Sequence, residues 1–150
     1  MPNLSRLQIL GADPIDAGRI VQIDPDVYRA GWTEAGIRDF LARPEARGGL
    51  AWDDTSVAGY YLARLVPPEA ELLLIATLPQ CRRRGIGTGL LLHLLGEAER
   101  AGCSRCFLEV RVSNEPAIRL YHRHGFRTAG VRKNYYSAPL EDAVVMVRAL

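Results

Sequence analysis

The segment Gln80-Cys81-Arg82-Arg83-Arg84-Gly85-Ile86-Gly87-Thr88-Gly89 combines three features that favour a bound phosphate. Its glycines carry no Cβ, so the backbone can turn tightly and present its N–H groups. The run Leu90 to Ala101 that follows reads as a helix, whose start adds unsatisfied N–H donors and the positive end of a dipole. The arginines place permanent positive charge beside that concavity. With the strand-like run Leu72 to Leu78 in front, the whole makes a pyrophosphate seat. Two other phosphate loops are excluded. The nucleotide-triphosphate loop needs Lys-Ser or Lys-Thr after its last glycine, and Leu90 follows Gly89. The dinucleotide fingerprint needs G-x-G-x-x-G, whereas Gly85, Gly87 and Gly89 run G-x-G-x-G. Two further residues, Glu109 and Tyr121, are of types that can move protons. Glu109 shares a strand face with Phe107 and Arg111, and on spacing alone such a carboxylate faces solvent or pairs with an arginine. Tyr121 shares a helical stripe with Ala117, Ile118 and His124, the usual place of a core aromatic.

The elements that must carry these residues are legible along the chain. Leu7 to Leu10 reads as a first strand, and Asp13-Pro14 as a helix start with Asp16 available for a capping box. That helix is interrupted at Asp24-Pro25; a second begins at Thr33-Glu34 and stops before Pro44. Gly49 to Trp52 and Val57 to Leu65 flank Asp53-Asp54-Thr55, a hairpin signal. After Pro67-Pro68 come the strand Glu71 to Leu78, the glycine turn, and a helix with Leu90, Leu91, Leu94, Leu95 and Ala98 on one stripe, closed at Gly102. Cys106 to Val110 is a fifth strand. Ser113-Asn114-Glu115-Pro116 caps a helix ending at Gly125, flanked by His122 and His124. Arg127 to Asn134 and Ala143 to Arg148 form a last hairpin-like pair around Ser137 to Asp142. The order β-α-α-β-β-β-α-β-α-β-β is a mixed α/β layered domain.

Arg82-x-x-Gly85-x-Gly87 resembles the acyl-coenzyme-A signature of the GCN5-related N-acetyltransferases (GNAT), and this element order is theirs. From Glu71 onward the likeness narrows. Ile75-Ala76-Thr77, the arginine-glycine turn, Leu108-Glu109-Val110-Arg111-Val112-Ser113-Asn114, Leu120-Tyr121, His124-Gly125-Phe126 and Asn134-Tyr135-Tyr136 recur in the order seen in the RimI branch, the ribosomal-protein N-terminal alanine acetyltransferases. Gly31-Trp32-Thr33-Glu34 resembles the branch's Phe-Pro-Trp-Ser segment without the Phe-Pro.

The resemblance implies a GNAT fold over residues 1–150, with a mixed sheet of about seven strands and four helices. It implies acetyl-CoA as cosubstrate, no metal, and transfer to a protein N-terminal amine, that of a small-subunit ribosomal protein's alanine. Glu109 then matches the general base that takes the proton of an α-amine. Tyr121 matches the acid that protonates the departing thiolate, a modest demand for a thiol of pKa about 8.5. Ile75, Ala76 and Thr77 would pair with the pantetheine arm through backbone, or form an ordinary strand end. Arg83, Arg84, Gly85, Ile86, Gly87 and Thr88 would hold the pyrophosphate, and Asn114 either contacts the cosubstrate or caps its helix. Trp32, Tyr135 and Tyr136 would border the acceptor. Two other functions fit the same elements: transfer to a lysine side chain or small amine, and a non-catalytic acyl-CoA-binding module. A sensor needs neither Glu109 nor Tyr121.

Composition agrees with one domain in the cytosol. The chain has 150 residues, 48% hydrophobic and 24% charged, ordinary for a soluble globular protein. No apolar run approaches membrane-spanning length, and Met1 to Arg6 lacks a signal-peptide pattern. Three cysteines, an odd number, argue against a disulfide framework, and Cys103-x-x-Cys106 finds no second pair for a structural zinc. The formal net charge of +2 is unevenly spread. Residues 1–70 carry seven arginines against ten acids, and residues 71–150 twelve basic against seven acidic side chains. An anionic cosubstrate on the second half explains this better than nucleic acid, because no basic helix face or aromatic-basic interleaving is present.

Overall fold

The computed structural model describes residues 7–150; the stretch Met1 to Arg6, read above for a leader pattern, lies outside them. Its strands are β1 (Leu7–Gly11), β2 (Ala46–Asp53), β3 (Ser56–Val66), β4 (Glu69–Thr77), β5 (Arg105–Arg111), β6 (Arg127–Ser137) and β7 (Leu140–Ala149). Its helices are α1 (Ala17–Ile23), α2 (Glu34–Leu41), α3 (Ile86–Arg100) and α4 (Glu115–Arg123), with short 3-10 turns at Pro14–Asp16, Pro25–Ala30 and Pro79–Cys81. The strands form one seven-stranded sheet in the order β1-β2-β3-β4-β5-β7-β6. This is the expected GNAT architecture, in which only β4 and β5 run parallel.

Two cores cover the two faces. One packs α3 and α4, through Leu90, Leu91, Leu94, Leu95 and Tyr121, on Tyr61, Leu72, Cys106, Leu108 and Met146. The other packs α1 and α2, through Ile20, Ile23, Ile37 and Phe40, on Leu50, Tyr60 and Leu62. Central β3 is buried on both sides from Ala58 to Ala63, as its continuous apolar run requires. In β5 the alternation expected from sequence holds: Cys106, Leu108 and Val110 are buried against α3 and α4, and Phe107, Glu109 and Arg111 face the other side. Burial pushes the Cys106 thiol up to about 12, so it stays an inert thiol.

The last hairpin differs from the sequence expectation. β6 and β7 run on to Ser137 and back from Leu140, so the turn is much tighter than Ser137 to Asp142. Within the stretch read as strand and its entry to the turn, the pairing is interrupted by a bulge: between the pairs Arg132↔Ala143 and Tyr136↔Glu141, three residues of β6 face one of β7. Asn134 sits there at φ +53°, and its N–H is satisfied by Asp142 Oδ1 at 2.8 Å. Strand periodicity cannot reveal a bulge held by a side chain eight residues away.

Candidate active site

The site is made by a split in the sheet. β4 and β5 pair only over Glu69↔Arg105, Ala70↔Cys106 and Glu71↔Phe107. Beyond Glu71 they separate, and a bulge at Leu73, left unpaired between Leu62↔Leu74 and Ala63↔Leu72, marks the point of divergence. From there to Thr77, β4 is bonded to β3 on one edge and open on the other. Ile75, Ala76 and Thr77 therefore lie half-buried on an open strand edge, as pairing with an extended chain requires.

The arginine-glycine turn lies at the end of that edge. Among the described residues, none of the backbone N–H groups from Arg83 to Thr88 has a hydrogen-bond acceptor. Gly85 is the N-cap of α3 at φ +79°, and Arg83 precedes it at φ +65°. These left-handed torsions turn successive N–H groups toward one side, an anion nest continued by the first turn of α3. Ile86 anchors the turn by burying its side chain in the α3 core. The three arginines divide their work. Arg84 donates from Nη1 to Asp53 Oδ2 at 2.9 Å, which ties the turn to the β2–β3 hairpin, while Arg82 and Arg83 are exposed. The Arg84 side chain is thus engaged as a brace on Asp53, which spacing could not distinguish from a side chain free to meet a phosphate. Asn114 does cap α4, its Oδ1 accepting from Ala117 N at 3.3 Å, and remains exposed.

On the α1/α2 side the split opens into a cleft of about 810 Å³. Trp32, Tyr135, Tyr136 and Glu109 all line it. The segment from Asp26 to Trp32 forms one wall, with Trp32 braced edge-on against Phe40 at 5.4 Å. The β6–β7 hairpin forms the other. There Tyr135 and Tyr136 meet edge to face at 5.0 Å, and burial pushes the Tyr136 phenol up to about 12. Arg111 holds this wall: its guanidinium lies 4.3 Å from the Tyr136 ring centre and donates to the Pro139 carbonyl at 2.9 Å and to Glu141 at 3.1 Å. Glu141 in turn accepts from Ser113 N at 2.9 Å.

Glu109 stands on the cleft floor, its side chain 11% exposed, with Arg132 Nε 3.3 Å from Oε1. A second carboxylate, Glu71, shares the cleft and was not singled out in the sequence. It pairs with Arg64 at 3.4 Å, and burial followed by the charge of Glu109 holds its carboxyl above the ordinary range. Only the parallel register of Glu71 with Phe107 brings the two carboxylates together. Tyr121 lies on the opposite face, 4% exposed and 5.7 Å from Phe126 between ring centres. Burial pushes its phenol well up, so the group stays protonated. His122 and His124 end their helix: His122 Nδ1 is 3.1 Å from the Phe126 carbonyl, and His124 is the C-cap of α4.

A raised carboxyl pKa in the folded state means that folding favours the protonated acid. Stability is therefore lost as pH rises from the unfolded value of about 4.3 through the native one. Glu71→Gln should melt a few degrees higher than the parent at pH 7 and lose that advantage near pH 4. The gain stays small because the group is partly solvated and Arg64 offsets it. Melting curves at the two pH values check this.

Comparison with known proteins places this architecture. Over 92 residues, 60% of this chain, it is 42% identical to the [ribosomal protein bS18]-alanine N-acetyltransferase of Escherichia coli, and the match spans 62% of that protein's length. An N-alpha-acetyltransferase of Sulfurisphaera tokodaii is 32% identical over 95% of this chain and 93% of its own. The crystal structure of the Escherichia coli ribosomal-protein-S18-alanine N-acetyltransferase superposes with a TM-score of 0.86 at 30% identity, covering 95% of this chain and 93% of that one. Among the described residues no helix is long and apolar enough to cross a membrane. The Acetyltransferase (GNAT) family model matches residues 18–126, from α1 through the split strands and the glycine turn to the end of α4, and the chain belongs to that family.

Proposed function

We propose that this chain, as one domain, transfers acetyl from acetyl-CoA to a protein N-terminal amine in the cytoplasm, the acceptor being the N-terminal alanine of a small-subunit ribosomal protein. One observation carries the reading: the separation of β4 and β5 leaves an open strand edge ending in a phosphate nest, with a carboxylate-floored cleft reaching the same gap. In this reading the pyrophosphate rests on the N–H groups of Arg83 to Thr88, the pantetheine arm pairs with Ile75 to Thr77, and Asn114 reaches the cosubstrate from its helix start. The α-amine enters from the cleft between Trp32 on one wall and Tyr135 and Tyr136 on the other.

The protonated amine cannot attack a thioester until it loses a proton. Glu109 takes it, directly or through a water, and Glu71 beside it supplies a second carboxylate to share the charge. Tyr121 rests protonated on the opposite face of the sheet and donates its phenol proton to the sulfur as the thiolate leaves, to be reprotonated from solvent afterwards. The α-amine pKa of about 8 against about 10.4 for lysine favours an N-terminal acceptor at neutral pH.

Peptides beginning Ala-Arg-Tyr, N-blocked peptides with one lysine, and a free polyamine should be offered in parallel. The N-terminal peptide should be acetylated at least about 10-fold faster, in line with the difference in free amine at neutral pH. Faster acetylation of the lysine peptide or the polyamine would sink the proposed acceptor. Mass spectrometry of N-termini from cells with and without the protein would identify the natural one.

A further inference from the structure

Asp24 ends α1 and opens the Pro25–Ala30 turn, which leads into the Asp26-to-Trp32 wall of the cleft. Its Oδ2 accepts a hydrogen bond of 2.7 Å from the phenol of Tyr60, 36 residues away. Tyr60 is fully buried, its ring in the α1/α2 core and its backbone paired with Ala76 on the open strand. Among the described residues no other side-chain hydrogen bond or ion pair joins residues 24–33 to the sheet. Arg29 reaches only Asp26 and Tyr28, and Thr33 caps its own helix.

We infer that the Tyr60–Asp24 hydrogen bond is a positioning device that fixes the acceptor wall to the acetyl-CoA strand and so sets how large a first residue the cleft admits. The inference rests on the proposed transfer to an amine. Neither residue lines the cleft, so the pair acts through the wall it holds. A buried phenol without a partner is costly, which keeps this bond formed. Pro25 restricts the backbone of Asp24 and has a fixed φ itself, so a displaced carboxylate moves the whole turn rather than one side chain. The register Tyr60↔Ala76 places the other end of the device on the strand whose edge would carry the pantetheine arm. The register of acceptor wall and acetyl group is thereby set by this directional bond, on top of the apolar packing of Val27 in the α1/α2 core and of Trp32 on Phe40.

Tyr60→Phe keeps the ring and removes the donor. Hydrogen exchange of the amides of residues 25–32 should speed up about 10-fold, the equivalent of one ordinary hydrogen bond. The KM for the amine that the parent uses should rise about 10-fold while kcat stays within about 2-fold and the acetyl-CoA Kd is unchanged. Preference for alanine-starting over leucine-starting peptides should narrow. Asp24→Asn, whose amide oxygen can still accept from the phenol, should retain parental exchange and KM. Asp24→Ala, at a partly exposed position, should reproduce Tyr60→Phe and serves in its place if that variant does not fold. Unchanged exchange and KM in both Tyr60→Phe and Asp24→Ala would overturn the inference, as would an acetyl-CoA Kd that weakens in step with KM. If the parent does not acetylate peptide N-termini, the proposed acceptor fails; the exchange measurement still decides whether the wall is anchored here.

Discussion

Replacing Glu109 by Gln should lower turnover by about 10²–10⁴-fold, the range that a positioned general base contributes. The substitution keeps the side-chain shape and leaves behind only Arg132, which is 58% exposed and regains water, so folding should be nearly unaffected. The loss should be deepest below pH 8, where the acceptor is mostly ammonium, and shrink as the amine deprotonates unaided. Tyr121→Phe should also lower kcat while leaving the acetyl-CoA Kd intact, because the ring packing on Phe126 survives. Among the described residues the Tyr121 phenol has no hydrogen-bond partner whose loss would unfold the core. Steady-state rates across pH at saturating acetyl-CoA, with melting curves as control, check both. Parental turnover in the two variants would remove Glu109 and Tyr121 from the mechanism.

The second large effect concerns the nest. Gly87→Val should weaken acetyl-CoA binding about 10²-fold, the cost of losing one or two charge-assisted hydrogen bonds to the backbone. A Cβ built at Gly87 meets only Leu120 Cδ2 at 3.5 Å, an ordinary contact, so the helix start tolerates it and the loss falls on the ligand. Gly85→Val meets no neighbour but sits at φ +79°, where a β-branched residue is strained by about 1–2 kcal/mol. That variant should therefore lose both affinity and melting temperature, whereas Gly87→Val should lose affinity alone. Calorimetry with acetyl-CoA and thermal melts separate the two. Unaltered affinity in both folded variants would move the pyrophosphate elsewhere.

The two effects differ in how far the sequence foresaw their residues. Gly85 and Gly87 stand out because a nest is built from consecutive residues, and its torsions follow from their own lack of a Cβ. The alternation of β5, the Asn114 cap and the α3 stripe are equally local, with periods and caps written within a few residues. Arg84 shows where this stops. Three adjacent arginines look alike in sequence, and only Asp53, 31 residues away, separates a brace from the exposed pair.

The local grammar therefore determined the strand-turn-helix segment, the element order and the facing of Glu109, while the aromatic residues that line the cleft were marked by the family resemblance. Tertiary structure alone decided that β4 and β5 part after Glu71↔Phe107, because strand pairing across an intervening helix has no local signature. It also decided that Glu71 joins Glu109, that the β6 bulge delivers Tyr135 and Tyr136 to the cleft, and that Arg111 and Tyr60 hold the two walls. Each of these is a contact between residues far apart in the chain, set by register and packing, which no pattern of neighbouring residues encodes.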